Sequence, residues 1–180
     1  VLAVRAPAPA SSRAAVRPAV VVPVGRFALG DSVMLGSRSL LGAQGFRVDA
    51  TVSRQFAAAP ALVRARLAAH RLPRNVVVHL GTNGTIRLSD CRAVVTSAGT
   101  ARRVFLVTDR VPRSWMAANN RTLRACDASF LTSRVVLVDW ATYSARHRAW
   151  FAADGFHPSS LGRGYYTRLI DSGVDRFGLR

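Results

Sequence analysis

Three uninterrupted apolar runs, Val76-Val77-Val78, Val104-Phe105-Leu106-Val107 and Val135-Val136-Leu137-Val138, constrain the fold of this chain most tightly. A strand with one wet face alternates apolar and polar residues. A run with no polar face has to be covered on both sides, as in a parallel sheet held between helix layers. Strands are therefore expected at Arg26 to Gly30, Phe46 to Val52, Asn75 to Leu80, Val104 to Asp109 and Val135 to Asp139. Helical segments fall between and after them: Val33 to Gly42, Ala58 to Arg71, Leu88 to Ala98, Trp115 to Ser129, roughly Thr142 to Phe151, and Ser160 to Phe177 with Ser159 or Ser160 as its cap. The sum predicts a three-layer α/β/α sandwich on a five-stranded parallel sheet in flavodoxin-like order 2-1-3-4-5.

That topology gives two short motifs a common address. Gly30-Asp31-Ser32 ends the first strand and opens a helix, so Ser32 faces the crevice beyond the carboxyl ends of the strands, where open α/β sheets bind ligands. The helix start adds free N–H groups for a developing anion. Asp154-Gly155-Phe156-His157 lies beyond the last strand. Folded back over the sheet, Asp154 orients the His157 imidazole and His157 takes the Ser32 proton, the division of labour of a Ser-His-Asp triad. Asp31 reads as a loop-bracing residue rather than a catalytic one.

Asn83, in Gly81-Thr82-Asn83-Gly84, ends the third strand beside the first. With the Ser32 N–H it is an expected oxyanion donor. Ser53-Arg54-Gln55 follows the second strand on the other side, and the Ser53 N–H is a third candidate. Arg54 and Gln55 either bind substrate or brace their loop. Arg113 and Trp115, after the fourth strand, either line a substrate groove or, for Trp115, pack inward. His79 reads as a core histidine and His70 and His147 as exposed ones; Trp140, Trp150 and Phe151 read as core. No spacing of His, Cys and Asp suggests a metal, and no cofactor motif is present.

Right-handed crossovers set the helices after strands three and four side by side. Cys91 lies on one and Cys126 on the other. The pair is either a disulfide, which requires an oxidising compartment, or two buried thiols.

Composition bounds the remainder. At 180 residues and 49% apolar the chain buries a full core. All 26 basic residues are arginine and the net charge is +17. The arginines are scattered, without a block of like charge or a nucleic-acid signature, which argues against DNA or RNA as partner. An anionic membrane surface or acidic wall polymer suits the charge. No run of about 20 apolar residues spans a bilayer. The chain opens on Val1, and residues 1–23 are an Ala/Pro/Ser/Arg-rich linker or extension. Residues 24–180 are expected to form one catalytic domain, monomeric in isolation.

Gly30-Asp31-Ser32, Gly81-Thr82-Asn83 and Asp154-x-x-His157 together resemble blocks I, III and V of the SGNH (GDSL-like) hydrolase superfamily. The wider strings Ala28 to Gly36, Val48 to Gln55 and His79 to Gly84 are similar to the extracytoplasmic SGNH domain at the C-terminus of acyltransferase-3 membrane proteins, the peptidoglycan O-acetyltransferase type. The likeness runs from Arg26 to Phe177. It implies an O-acyltransferase, acetyl by preference, that works through an acyl-serine on a cell-envelope glycan or glycolipid. It also implies a donor delivered by a membrane acyltransferase-3 domain of the same longer protein, at the extracytoplasmic face of the membrane. The alternatives are a carbohydrate O-acetyl esterase and a non-catalytic glycan-binding domain. Two positions depart from the superfamily: Gly84 stands where block III usually has Asp, and Ser53 where block II usually has Gly.

Overall fold

The structure, a computed structural model, describes residues 25–130 and 134–180; the expected linker at 1–23 lies outside them. Five strands, β1 (Arg26–Gly30), β2 (Phe46–Ala50), β3 (Asn75–His79), β4 (Arg103–Val107) and β5 (Val135–Val138), pair in parallel in the order β2-β1-β3-β4-β5. The expected fold class is the observed one. Register carries the consequence for the site: Gly30 pairs with His79 on one side and Ala50 on the other. The residues that follow each, Asp31, Thr51 and Leu80, therefore leave the sheet together at its carboxyl edge.

Two apolar layers flank the sheet. On one face α3 (Ala59–Ala68), α4 (Leu88–Ser97) and α5 (Met116–Ala128) close over Leu29, Val76, Val78, Val104 and Leu106. On the other, α1 (Ser32–Leu35), α2 (Arg38–Ala43), α6 (Trp140–Tyr143) and α7 (Ser160–Phe177) close over Ala28, Val77, Phe105 and Val107. β3 is buried along its whole length, as its unbroken apolar run requires. Arg26 pairs with Asp171 and Asp175 and ties the start of β1 to α7.

Two helices differ from expectation. The segment Val33 to Gly42 is two short helices, because the Gly36 N–H closes back onto the Met34 and Ser32 carbonyls and the chain turns at Gly36-Ser37. The helix expected over Thr142 to Phe151 is instead α6 followed by a 3-10 turn at Arg148–Trp150. Ser144 is buried with its hydroxyl bonded to the Trp140 carbonyl (2.7 Å), and ring stacking directs the rest: His147 on Trp150 (3.8 Å between centroids) and Trp150 on Tyr165 (4.0 Å). Tertiary packing overrides the local helical pattern here. α7 has the expected bounds, with Ser159 as its N-cap accepting from the Gly162 N–H.

Cys91 of α4 and Cys126 of α5 form a disulfide between Cα atoms 6.2 Å apart, closing a separation of 35 residues. Both lie in the core beneath those helices. In the chain-entropy view a loop of this size stabilises the fold by about 3–4 kcal/mol. A Cys91→Ala/Cys126→Ala double variant is expected to lose roughly that amount in urea unfolding. An unfolding free energy equal to that of the oxidised wild type would mean the bridge does not constrain the unfolded chain.

Candidate active site

Asp31 organises the site. Its side chain is fully buried, and Oδ1 accepts from the Val33 N–H (3.0 Å) as the N-cap of α1. A capping aspartate of this kind satisfies one of the donors that every helix start leaves free. Oδ2 accepts from the Thr82 hydroxyl and from Asn83 Nδ2 (3.2 Å). One carboxylate thus joins the turn after β1 to the turn after β3. Ser32, next in sequence, becomes the first residue of α1, and its N–H is among the donors without an intrahelical partner.

The loop after the 3-10 turn brings the other two expected residues to Ser32. His157 Nε2 lies 2.9 Å from Ser32 Oγ, and His157 Nδ1 lies 2.7 Å from Asp154 Oδ2. Asp154 Oδ1 accepts from the Phe156 and His157 N–H groups, both at 3.0 Å, which fixes the turn that presents the imidazole. Burial pushes the Asp154 carboxyl up, but the hydrogen bond from His157, the two backbone N–H groups and the His157 charge outweigh it, and it stays below the usual aspartate range. An ionised Asp154 holds the His157 proton on Nδ1 and leaves Nε2 free to accept from Ser32 Oγ–H.

The remaining expected residues divide. Asn83 lies at the same edge, and its amide nitrogen is bonded to its own turn and to those after β1 and β2: to Asp31 (3.2 Å), to Thr82 Oγ1 (3.0 Å) and, at 3.4 Å, to the Arg54 carbonyl. Ser53 is exposed and has φ 60°, a left-handed backbone that costs about 1–2 kcal/mol outside glycine. That is the physical reason a glycine suits this turn. Arg54 braces: its guanidinium bonds Asp49 Oδ1 (2.8 Å), the Asp49 carbonyl (2.8 Å), Thr51 Oγ1 (2.9 Å) and the Gly30 carbonyl (3.3 Å). Gln55 is exposed at the same edge, near Gly84. Trp115 also turns inward, donating to the Gly81 carbonyl (3.1 Å), while Arg113 remains exposed.

Beneath the site lies a polar layer that the sequence did not reveal. His79 is buried, as expected of a core histidine; its Nδ1 contacts the Tyr166 hydroxyl (2.7 Å) and its Nε2 lies 3.6 Å from Asp109 Oδ1. Burial holds His79 down at about 4, with the Asp31 charge offsetting part of the effect. Burial, and then the Asp31 charge, pushes the Asp109 carboxyl well up against a smaller opposing bond from Asn119. Burial also raises the Tyr166 phenol, with Asp31 and Asp109 adding to it. Asn119 and Asn120 of α5 clamp the two loops above. Asn119 Nδ2 donates to the Gly81 (3.0 Å) and Gly84 (2.9 Å) carbonyls, and Asn120 bonds both backbone groups of Asp109. Gly81, at φ 139°, is required where it is: a Cβ would collide with the Asp109 carboxylate. The spacing Asn119, Leu123, Cys126 places Asn119 on the buried face of α5, and that polar residue on an apolar stripe is the signal a sequence reading can use.

Among the described residues no group of three His, Cys or Asp side chains is arranged to hold a metal ion, and no helix is long and apolar enough to cross a membrane.

A carboxyl raised in the folded state contributes stability below its unfolded value near 3.8 and loses it as pH climbs through the folded value. Asp109→Asn lacks that slope. Its stability relative to wild type is expected to grow as pH rises from about 4 toward neutrality, in thermal or urea unfolding. A difference independent of pH would contradict a raised Asp109.

No family model matches the chain. It is 35% identical over 147 residues to YrhL of Bacillus subtilis (strain 168), covering 80% of this chain and 23% of that protein. It is 34% identical over 145 residues to the O-acetyltransferase OatA of Staphylococcus aureus (strain NCTC 8325 / PS 47), covering 79% and 24%. The chain thus spans about a quarter of the length of these relatives. Among solved structures it superposes on the C-terminal catalytic domain of the Streptococcus pneumoniae peptidoglycan O-acetyltransferase A (OatA), which carries a methylsulfonyl adduct. The TM-score is 0.77 at 21% identity, over 87% of this chain and 96% of that one. At that identity the likeness speaks for the fold.

Proposed function

We propose that this chain, which has the SGNH-hydrolase fold and resembles O-acetyltransferases over four fifths of its length, is the acyl-carrying domain of a serine-dependent O-acyltransferase. It moves an acyl group, acetyl by preference, to a hydroxyl of a cell-envelope glycan or glycolipid. The observation that carries this reading is the continuous contact Ser32 Oγ to His157 Nε2 (2.9 Å) and His157 Nδ1 to Asp154 Oδ2 (2.7 Å) at the carboxyl edge of the sheet.

In the first half-reaction Ser32 Oγ passes its proton to His157 Nε2 and attacks the acyl carbonyl of the donor. Asp154 stabilises the imidazolium that forms. The carbonyl oxygen becomes an oxyanion, held by the Ser32 N–H at the start of α1. Asn83 Nδ2 joins it by giving up its longest contact, the Arg54 carbonyl at 3.4 Å, and the Ser53 N–H is the third donor. Each such donor is worth about 10²–10³ in rate. Collapse breaks the bond to the donor's leaving group, which takes the proton from His157, and leaves an ester on Ser32. In the second half-reaction a glycan hydroxyl gives its proton to His157 and attacks that ester. Collapse then forms the product ester, and the proton returns from His157 to Ser32 Oγ.

The site lies at an edge that a large acceptor can reach: His157 and Asp154 retain 37% and 42% of their side-chain exposure. The Cys91–Cys126 bridge supports an extracytoplasmic location, where a membrane acyltransferase-3 domain of the same longer protein supplies the donor. The preceding residues 1–23 serve as tether and residues 24–180 as catalytic domain.

Purified domain with an aryl acetate donor and chito-oligosaccharides tests this. Acetylated sugar, read by mass spectrometry, is expected from wild type and is expected to fall at least about 10³-fold in Ser32→Ala. Ser32-dependent acetate release with no acetylated sugar would instead favour an esterase, and turnover that survives Ser32→Ala would remove Ser32 from the reaction.

A further inference from the structure

A second feature of the carboxyl edge remains after the reacting groups are placed. A cavity of about 240 Å³ opens between Arg110, after β4, Ser144, Ala145, Arg146 and Arg148, after α6, and the loop that carries Asp154 and His157, where Phe151, Ala152 and Gly155 form its wall. Three arginines line it: Arg110, Arg146 and Arg148. Arg110 is half-buried, and its Nε is shielded from solvent with no hydrogen-bond partner among the described residues. All nine acidic residues of the chain are aspartates, and none lines this cavity. Asp49, Asp139, Asp171 and Asp175 are paired with other arginines, Asp154 bonds His157, Asp90 and Asp127 lie on α4 and α5, and Asp31 and Asp109 are buried in the layer beneath Ser32. No ion pair between described residues neutralises Arg110, Arg146 or Arg148.

The cluster is also built. His147, between two of the arginines, stacks on Trp150 at 3.8 Å and 8°, and Trp150 stacks on Tyr165 of α7 at 4.0 Å and 13°. That stack anchors the segment, so the guanidinium groups on either side of His147 spring from a fixed backbone. On the opposite wall Ala152 bonds the His157 carbonyl (2.8 Å) and Gly155 packs toward Pro112. The cavity and the imidazole therefore share one loop, closed by that bond.

We propose that this cavity binds an anionic group, carboxylate or phosphate, on the acyl acceptor and thereby selects acidic acceptors for the Ser32 site. Guanidinium forks match the geometry of both anions, and a partly shielded cation without a protein partner gains more from such an anion than an exposed one. The inference rests on the transferase reading above and deepens it.

Transfer from an aryl acetate is measured to three oligosaccharides of equal length: neutral, carboxylated and phosphorylated. Wild type is compared with Arg110→Gln and Arg148→Gln. Wild type is expected to favour an anionic acceptor in kcat/KM, and each variant to lower that preference about tenfold or more through KM. Added salt should lower it in wild type as well. The better of the two anionic acceptors identifies which anion the cavity fits. A preference unaffected by both substitutions, or no preference in wild type, would overturn the proposal. If wild type transfers to no acceptor yet releases acetate through Ser32, the transferase reading fails separately. NMR titration with the carboxylated oligosaccharide alone then decides: weaker binding by the variants supports the anion site, and equal binding overturns it.

Discussion

The Asp31 carboxylate is the interaction on which the site depends. One oxygen caps the helix that presents Ser32, and the other receives Thr82 and Asn83 from the neighbouring strand end. A charge in such a place is costly unless its lone pairs are filled, and here three donors fill them. The same charge acts on its surroundings: it helps push Asp109 and Tyr166 toward their neutral forms.

A second constraint acts at the next level. The loops after β3 and β4 carry no regular structure, and α5 holds both through adjacent asparagines. Arg54 and Trp115 contribute in the same way: Arg54 bonds the ends of β1 and β2 and the Asp49 and Thr51 side chains, and Trp115 bonds the Gly81 carbonyl. Polar residues near the reacting edge are therefore mostly scaffold. The arginine-lined cavity is different because its cations have no such use.

Much of this architecture is legible in the sequence itself. The runs at Val76, Val104 and Val135 demand burial on both faces, and the sheet order follows from crossover handedness. That order alone brings Ser32, Asn83 and the loop after β2 to one edge. Asp154-x-x-His157 is a local motif whose spacing lets the aspartate bond the imidazole and its own turn. The layer of His79, Asp109, Asn119 and Tyr166 is not legible as a unit, because its members lie on β3, the loop after β4, α5 and α7 and meet only through tertiary packing. The role of Arg54 stays open for a related reason: an arginine near a site reads equally well as ligand or brace until its acceptors, Asp49, Thr51 and the Gly30 carbonyl, are seen. The break after Tyr143 depends on stacking among His147, Trp150 and Tyr165, which a helical window does not register.

The proposed chemistry requires an acyl group to pass through Ser32. Wild-type protein quenched in acid during turnover of an aryl acetate and mapped by peptide mass spectrometry tests this directly. One acetyl group is expected, on the peptide containing Ser32, building up in the absence of acceptor and disappearing when an acceptor glycan is added. Acetate or acetylated sugar formed with no acetyl on Ser32 at any time point, or an acetyl trapped on another residue, would contradict it.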